Sequence, residues 1–232
     1  MFKTDLKQYL NIEISDSKLN QFNKYFHFLI EYNKITNLTR ITEEKDVYYK
    51  HFFDSLSVIQ SVDVNEIKSL CDMGAGAGFP SIPIKILYPH LEVTIIDSLG
   101  KRITFLNQLV KLLKLERVNI IYDRIEKYAE KNREKFDLVT ARALGKLPII
   151  LELGMPMVKI NGLFLAYKSK QYQEEIELSK KAISILGGKL EKTNIFSIPH
   201  SFGERAHVMI RKIKKSPLKY PRVFSAIKKK NL

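Results

Sequence analysis

The sequence contains a single cysteine, Cys71, in 232 residues. One thiol excludes an internal disulfide framework and any Cys-rich zinc site, and it fits a reducing compartment. Cys71 falls inside an apolar run and reads as small core filler rather than a nucleophile. No stretch of about 18 apolar residues is present, so no membrane-spanning helix is expected. The segment Met1–Lys7 also lacks the apolar block of a secretory signal. Together these absences lead us to expect a cytoplasmic protein without a membrane partner. Acidic residues are few, 25 against 39 Lys and Arg, for a net charge of +14. Such an imbalance points to a polyanionic partner, most simply nucleic acid, although a solvated basic surface gives the same count. At 45% hydrophobic residues, with 13 Phe and 11 Tyr, the chain is rich enough to fold on its own. Its length suits one α/β domain with an additional segment.

What organises the chain is the stretch Leu70–Ile82. An apolar run ends at Asp72, Gly74, Gly76 and Gly78 follow at every second position, and Pro80 suits a first helical turn. Glycines at this spacing let the backbone turn sharply and leave no Cβ between the main chain and a ligand. The dinucleotide fingerprint Gly-x-Gly-x-x-Gly fits poorly, because its last glycine would fall on Phe79. Asp72 would repel a pyrophosphate and favour a cation such as a sulfonium carrying an ammonium group. The order Asp-x-Gly-x-Gly-x-Gly is similar to that of S-adenosylmethionine-dependent methyltransferases. A second apolar run, Leu91–Ile96, ends in Asp97, about 20 residues further on, where a doubly wound fold presents an acid to ribose hydroxyls. An ordinary turn and a strand-end aspartate would leave the same trace.

Residues 1–65 read as a helical appendage, with Leu6, Leu10, Leu19, Phe22, Phe26, Leu29 and Ile30 at helical spacing and Ser15 or Asp16 as a cap. A third helical pattern, Glu43 to Gln60, brings His51, Asp54 and Ser55 to one side at i, i+3 and i+4. Members of a hydrolase triad come from separated loops, so this local group is read as hydrogen bonding to the glycine turn or as structural satisfaction. Residues 66–213 alternate strand and helix, which implies a parallel sheet with right-handed crossovers. Ligands on such a sheet bind outside the carboxyl ends of its strands. That rule gathers the glycine turn, Asp97, the Ile125-Glu126 turn and Arg142 into one expected site, although helix-terminal acids and a surface ion pair would also account for single members. The final strands, Lys192 to Ile198 and His207 to Ile213, are expected to close a seven-stranded sheet with an antiparallel edge.

Six segments then converge: Asn37-Leu-Thr39, His51-Phe-Phe-Asp54-Ser55, Asp72-Met-Gly-Ala-Gly-Ala-Gly-Phe-Pro80, Asp97-Ser-Leu-Gly-Lys-Arg102, Ala141-Arg-Ala143 and Gly203-Glu-Arg205. In their order and number the chain resembles the bacterial ribosomal RNA small subunit methyltransferase G family, also called the glucose-inhibited division protein B family. Commoner members have Thr and Pro at Ala75 and Ala77, and a glycine where Lys168 is followed by Ser169-Lys170. The resemblance implies an α/β, Rossmann-like class I methyltransferase fold that methylates N7 of one guanine in 16S rRNA. It implies S-adenosyl-L-methionine contacts at Gly74, Phe79, Ile125, Glu126 and Arg142, to which the residue reading adds Asp72, Gly76, Gly78 and Asp97. Arg142 and Lys168 are expected to position the base, since guanine O6 accepts from cationic donors. No metal is expected.

From Arg211 to Leu232 there are nine basic residues and no acidic one. Residues 214–232 are expected to form a basic tail that tracks phosphate, with Tyr220 and Phe224 stacking on bases, or a solubilising tail. On this reading its loss weakens RNA binding and leaves the cofactor site intact. Lys101, Arg102, Arg205, Lys219, Arg222, Lys228, Lys229 and Lys230 are the expected RNA contacts. The expected partner is 16S rRNA or the small ribosomal subunit, and the expected state is a monomer. Two alternatives share these features: a methyltransferase acting on another RNA or on protein, and a non-catalytic RNA-binding assembly factor.

Overall fold

The computed structural model describes residues 1–169 and 171–232. Seven strands form one sheet: β1 (Ser69–Met73), β2 (Glu92–Asp97), β3 (Val118–Tyr122), β4 (Phe136–Arg142), β5 (Val158–Lys168), β6 (Gly188–Ser197) and β7 (Glu204–Lys212). Their order is β3-β2-β1-β4-β5-β7-β6. The first five pair in parallel, and β7 runs antiparallel between β5 and β6. The expected seven-stranded, mostly parallel α/β sheet is therefore present. The switch of direction lies between β1, from which the chain winds outward to β3, and β4, to which it returns. Asp97, Arg142 and Lys168 all end their strands on the same edge.

Alternate residues of each strand enter different cores, as the two-residue period of a strand requires. Leu70, Ile95, Leu138 and Leu165 face one cluster. Cys71, Ile96, Val139 and Ala166 face the other. The first face is covered by α1 (Phe2–Leu10), α2 (Asp16–Thr36), α3 (Glu44–Val47), a π-turn (Tyr48–Phe53), α4 (Asp54–Leu56), α5 (Ser81–Leu87) and α6 (Gly100–Leu112). The residues read as an N-terminal appendage thus form part of a sandwich layer. Their apolar cluster runs from Phe2 to Met209 without interruption at residue 65. Ser15 caps α2, its hydroxyl accepting from Lys18 N at 3.3 Å, which satisfies one of the helix's unpaired donors. His207, buried in β7, holds Ser57 and Ser61 through its two ring nitrogens at 3.2 and 2.8 Å, pinning the first layer to the sheet.

The second face carries α7 (Ile125–Lys131), α8 (Leu147–Gly154), α9 (Tyr172–Ile185) and α10 (Phe224–Lys229). The last of these corrects the picture of a basic tail given over to phosphate. Arg222, expected to contact RNA, donates from Nε and Nη2 to the two carboxylate oxygens of Glu152 at 2.7 and 2.6 Å. Glu152 is wholly buried on α8, and an unpaired carboxylate there would be costly, so it claims the nearest guanidinium. Tyr220, expected to stack on a base, is buried. Arg133 donates to the Ser216, Pro217 and Tyr220 carbonyls and fastens the segment from the side. Lys212 is buried in β7, donating to Met155 O at 2.6 Å, and Arg211 pairs with Glu191. Lys219, Lys228, Lys229 and Lys230 stay exposed.

Replacing Arg222 by alanine leaves Glu152 buried without its partner and is expected to destabilise the fold by about 3 kcal/mol. Urea denaturation measures this, and a loss below about 0.5 kcal/mol would mean that the pair carries no weight.

Candidate active site

The glycine turn is held from below. Asp72 is wholly buried at the end of β1 and accepts from Ser81 N, the start of α5, at 3.0 Å. A carboxylate at a helix start meets unpaired amides and the positive end of the helix dipole. Burial nonetheless pushes Asp72 up to about 6, against the Ser81 hydrogen bonds and the Arg142 charge. The expectation that Asp72 faces the ligand is corrected here: its carboxylate is used beneath the loop. Gly78 has φ +96°, and a Cβ there would lie 2.7 Å from Ile82 Cγ1 and 2.8 Å from the Tyr25 hydroxyl. That close approach lets Tyr25, from α2, donate its hydroxyl to Ala77 O and stack on Phe79 with centroids 5.3 Å apart. Gly76 is different, for a Cβ on it would meet nothing within 4 Å. It stands open to the cleft above.

Arg142 leaves the end of β4 into a cluster supplied by the first layer. Its Nε lies 2.7 Å from Asp54 Oδ2, and Nη2 donates to Lys50 O and, at 3.2 Å, to His51 Nδ1. An arginine can only donate, so His51 carries its proton on Nε2, which lies 3.1 Å from Thr39 Oγ1. Burial, with the Arg142 charge beside it, lowers His51 to about 3. Its ring stacks on Phe79 at 4.4 Å. Asp54 also accepts from Arg205 Nε at 3.1 Å, so a single buried carboxylate bridges two guanidiniums from β4 and β7. The expected grouping of His51 and Asp54 is real, but its partner is Arg142 rather than a glycine-turn hydrogen bond. The π-turn that presents it is a device recurrent at functional sites. Ser55 instead bonds its own helix, donating to His51 O.

Three cavities follow one another along the carboxyl edge. The first, about 250 Å³, has Asp97, Ser98 and Glu126 on its polar side and Ile125, Leu144, Ile149, Leu153 and Phe224 on its apolar side. The second, about 230 Å³, lies over Gly74, Gly76 and Phe79 and shares Gly74, Arg102 and Leu144 with the first. The third, about 420 Å³, shares Arg142 and Ala143 with the second and adds Asp54, Tyr167, Lys168 and Arg205. Asp97 already accepts from Gly76 N, Leu99 N and Arg102 Nη1 at 3.2, 3.0 and 3.2 Å. Lys168 Nζ is held 2.7 Å from both Gly145 O and Glu175 Oε2.

Two expected RNA contacts belong inside this trough. Arg102, in the first turn of α6, turns to the buried carboxylate of Asp97 at the end of β2, because a charge-assisted bond to it is stronger than one to solvent. Arg205 is drawn to Asp54 for the same reason. Lys101, exposed, donates to Thr36 O at the end of α2. The sequence reading missed Tyr25, Arg124 and Leu144, and it gave Phe224 to RNA bases. Phe224 was legible as an aromatic among basic residues, but it lines the first cavity, so the C-terminal segment does not stand apart from that cleft.

Comparison with known proteins agrees with the geometry. The model of the family described as rRNA small subunit methyltransferase G matches residues 18–206. A Bacillus subtilis protein named ribosomal RNA small subunit methyltransferase G is 50% identical over 213 residues, covering 91% of this chain and 89% of its own. One of the same name from Listeria monocytogenes is 49% identical over 223 residues, covering 95% and 93%. Among solved structures, a putative caffeoyl-CoA O-methyltransferase from Staphylococcus aureus matches 90% of this chain and 96% of its own, with a TM-score of 0.56 at 16% identity. M. jannaschii TYW2 in complex with AdoMet matches 64% and 70%, with a TM-score of 0.53 at 22% identity. At these identities the structures establish the shared fold.

The buried titrating groups give the fold a defined acid limb. Burial lowers both His51 and His207 to about 3 and raises Asp72 to about 6. Between roughly pH 4.5 and 6 the unfolded chain holds protons on two histidines that the native state lacks, and the native state holds one on Asp72 that the unfolded chain has lost. The unfolded state is one proton richer, so stability rises with pH by about 1.4 kcal/mol per unit across this window. Asp72→Asn removes the opposing proton and roughly doubles the slope. Urea midpoints taken across the window check both, and a flat wild-type profile would contradict the assignment.

Proposed function

The chain belongs to the rRNA small subunit methyltransferase G family, and from that premise we propose that it transfers a methyl group from S-adenosylmethionine to N7 of a single guanine in 16S rRNA. The proposal extends to a monomer that works in the cytoplasm on the rRNA or on the small ribosomal subunit; no described helix is long and apolar enough to cross a membrane. The observation that carries it is the continuity of the trough. Polar acceptors at Asp97 pass by way of the open Gly76 to the cationic end at Arg142 and Arg205.

The donor's parts match the first two cavities. Asp97 would accept from a ribose hydroxyl, since three donors leave about one of its four acceptor sites open. Ile125 and Glu126 would meet the adenine face and edge. Gly74 and Gly76 admit the methionine portion, and Phe79 flanks it. When bound, S-adenosylmethionine supplies a methyl group on a positively charged sulfur.

What remains for the protein is positioning. Guanine N7 carries an in-plane lone pair and loses no proton, so the site needs no general base. His51 is accordingly not available as one, being locked between Arg142 and Thr39 as a neutral ring. Holding the acceptor in line and excluding water suffices for a large acceleration. Arg142, fixed on three sides, and Lys168 present cationic donors of the kind guanine O6 accepts. Asp54 offsets part of the Arg142 and Arg205 charge, leaving a cationic pocket suited to a nucleotide and its phosphate. A net charge of +14 supplies the longer-range attraction.

The test is methyl transfer from labelled S-adenosylmethionine to 16S rRNA and to 30S particles, with the product nucleoside identified by mass spectrometry. N7-methylguanosine at one site is expected from at least one substrate. Methyl on another atom, or donor binding without transfer to either RNA form, would favour a different acceptor or a binding role. Gly76→Val sets a branched side chain into the open turn and is expected to reduce transfer at least a hundredfold.

A further inference from the structure

Phe224 and the exposed lysines beside it sit on one short element with two faces. Inward, Phe224 lines the first cavity together with Asp97 and Glu126. Ile149 and Leu153 of α8 line the same cavity, and between them in sequence Glu152 holds Arg222. Arg222 also donates to Lys230 O at 3.0 Å, so one guanidinium ties both ends of α10 to α8. Ile227 is wholly buried beneath it. The position of Phe224 at the cleft therefore depends on where α10 is held. The Arg124 guanidinium lies over that ring, 5.7 Å from its centroid, while its Nε donates to Glu126 at 2.5 Å. Outward, Lys228, Lys229 and Lys230 are exposed and have no carboxylate partner among the described residues.

We propose that α10 is shared by the donor and RNA sites: Phe224 is a wall of the pocket for the donor's adenine, and phosphate held by Lys228–Lys230 steadies that wall, so that RNA and donor bind with positive coupling. The proposal rests on the methyl-donor reading given above. A flat heterocycle between Ile125 and an aromatic ring gains both apolar burial and stacking. Lys228 and Lys229 close a helix of six residues and Lys230 follows it, so phosphate beside them meets three cations at one end of α10. Whatever RNA contributes to holding α10 in place, the donor must return as RNA affinity, since coupling between two sites is reciprocal.

The experiment is calorimetric titration of S-adenosylhomocysteine into the full chain, with and without saturating 16S rRNA. Phe224→Ala is expected to weaken binding about tenfold in a protein that still unfolds cooperatively well above the assay temperature, and Phe224→Tyr to stay within about threefold of wild type. RNA is expected to tighten wild-type binding several-fold. The combined Lys228→Glu, Lys229→Glu and Lys230→Glu protein should keep the RNA-free affinity and lose that tightening. Wild-type affinity in a folded Phe224→Ala protein would overturn the proposal, as would an RNA effect of the same size in the triple variant. Failure of the wild type to bind S-adenosylhomocysteine at all would overturn the donor reading itself.

Discussion

One buried carboxylate, Asp54, holds the edge of the sheet together. Arg142 arrives from β4 and Arg205 from β7, strands separated by β5, and both meet Asp54 on a helix of the opposite layer. A lone carboxylate at this depth would be strongly disfavoured, and either guanidinium alone would lack its counter-charge. Each partner therefore makes the other two tolerable. The remaining donors of Arg142 are then directed to Lys50 O and His51, which sets the histidine tautomer and its stack on Phe79. The position of the glycine turn follows from that stack and from Tyr25 on its other contact.

A similar arrangement fastens the other end of the trough. Glu152 is to the C-terminal segment what Asp54 is to the first layer: a buried acid that recruits an arginine from a distant part of the chain. In both cases a basic residue that reads as a free cation is spent on internal charge, and the cations left for a polyanion are those without a buried acid nearby. Net charge describes how the whole molecule attracts RNA, whereas the pairing pattern decides which side chains can touch it.

Much of this was legible in the sequence, and the reason is range. The glycine turn, the strand that feeds it, Asp97 and the Ile125-Glu126 turn are local patterns whose meaning is fixed by backbone geometry and by the rule that ligands lie at the carboxyl ends of parallel strands. Arg142 could be found because it ends a strand at that edge. Asp72 was found for a local reason too, yet its carboxylate faces the start of α5, nine residues on, instead of the cleft. Arg102, five residues from Asp97, was within reach of a local argument and was misassigned because a basic residue in a basic chain suggests phosphate.

The alternation of strand and helix and the residues of the turn could be read from the sequence, since these depend on side-chain periodicity and on which positions tolerate a missing Cβ. Folding settled that Asp54 serves two arginines, that Arg222 belongs to Glu152 and that Phe224 lines the first cavity. Asp54 and Arg205 lie 151 positions apart, and Glu152 and Arg222 lie 70 apart. Burial decides these pairings, because a charge removed from water takes the partner that folding brings within reach, and no pattern in the neighbouring sequence records which partner that will be.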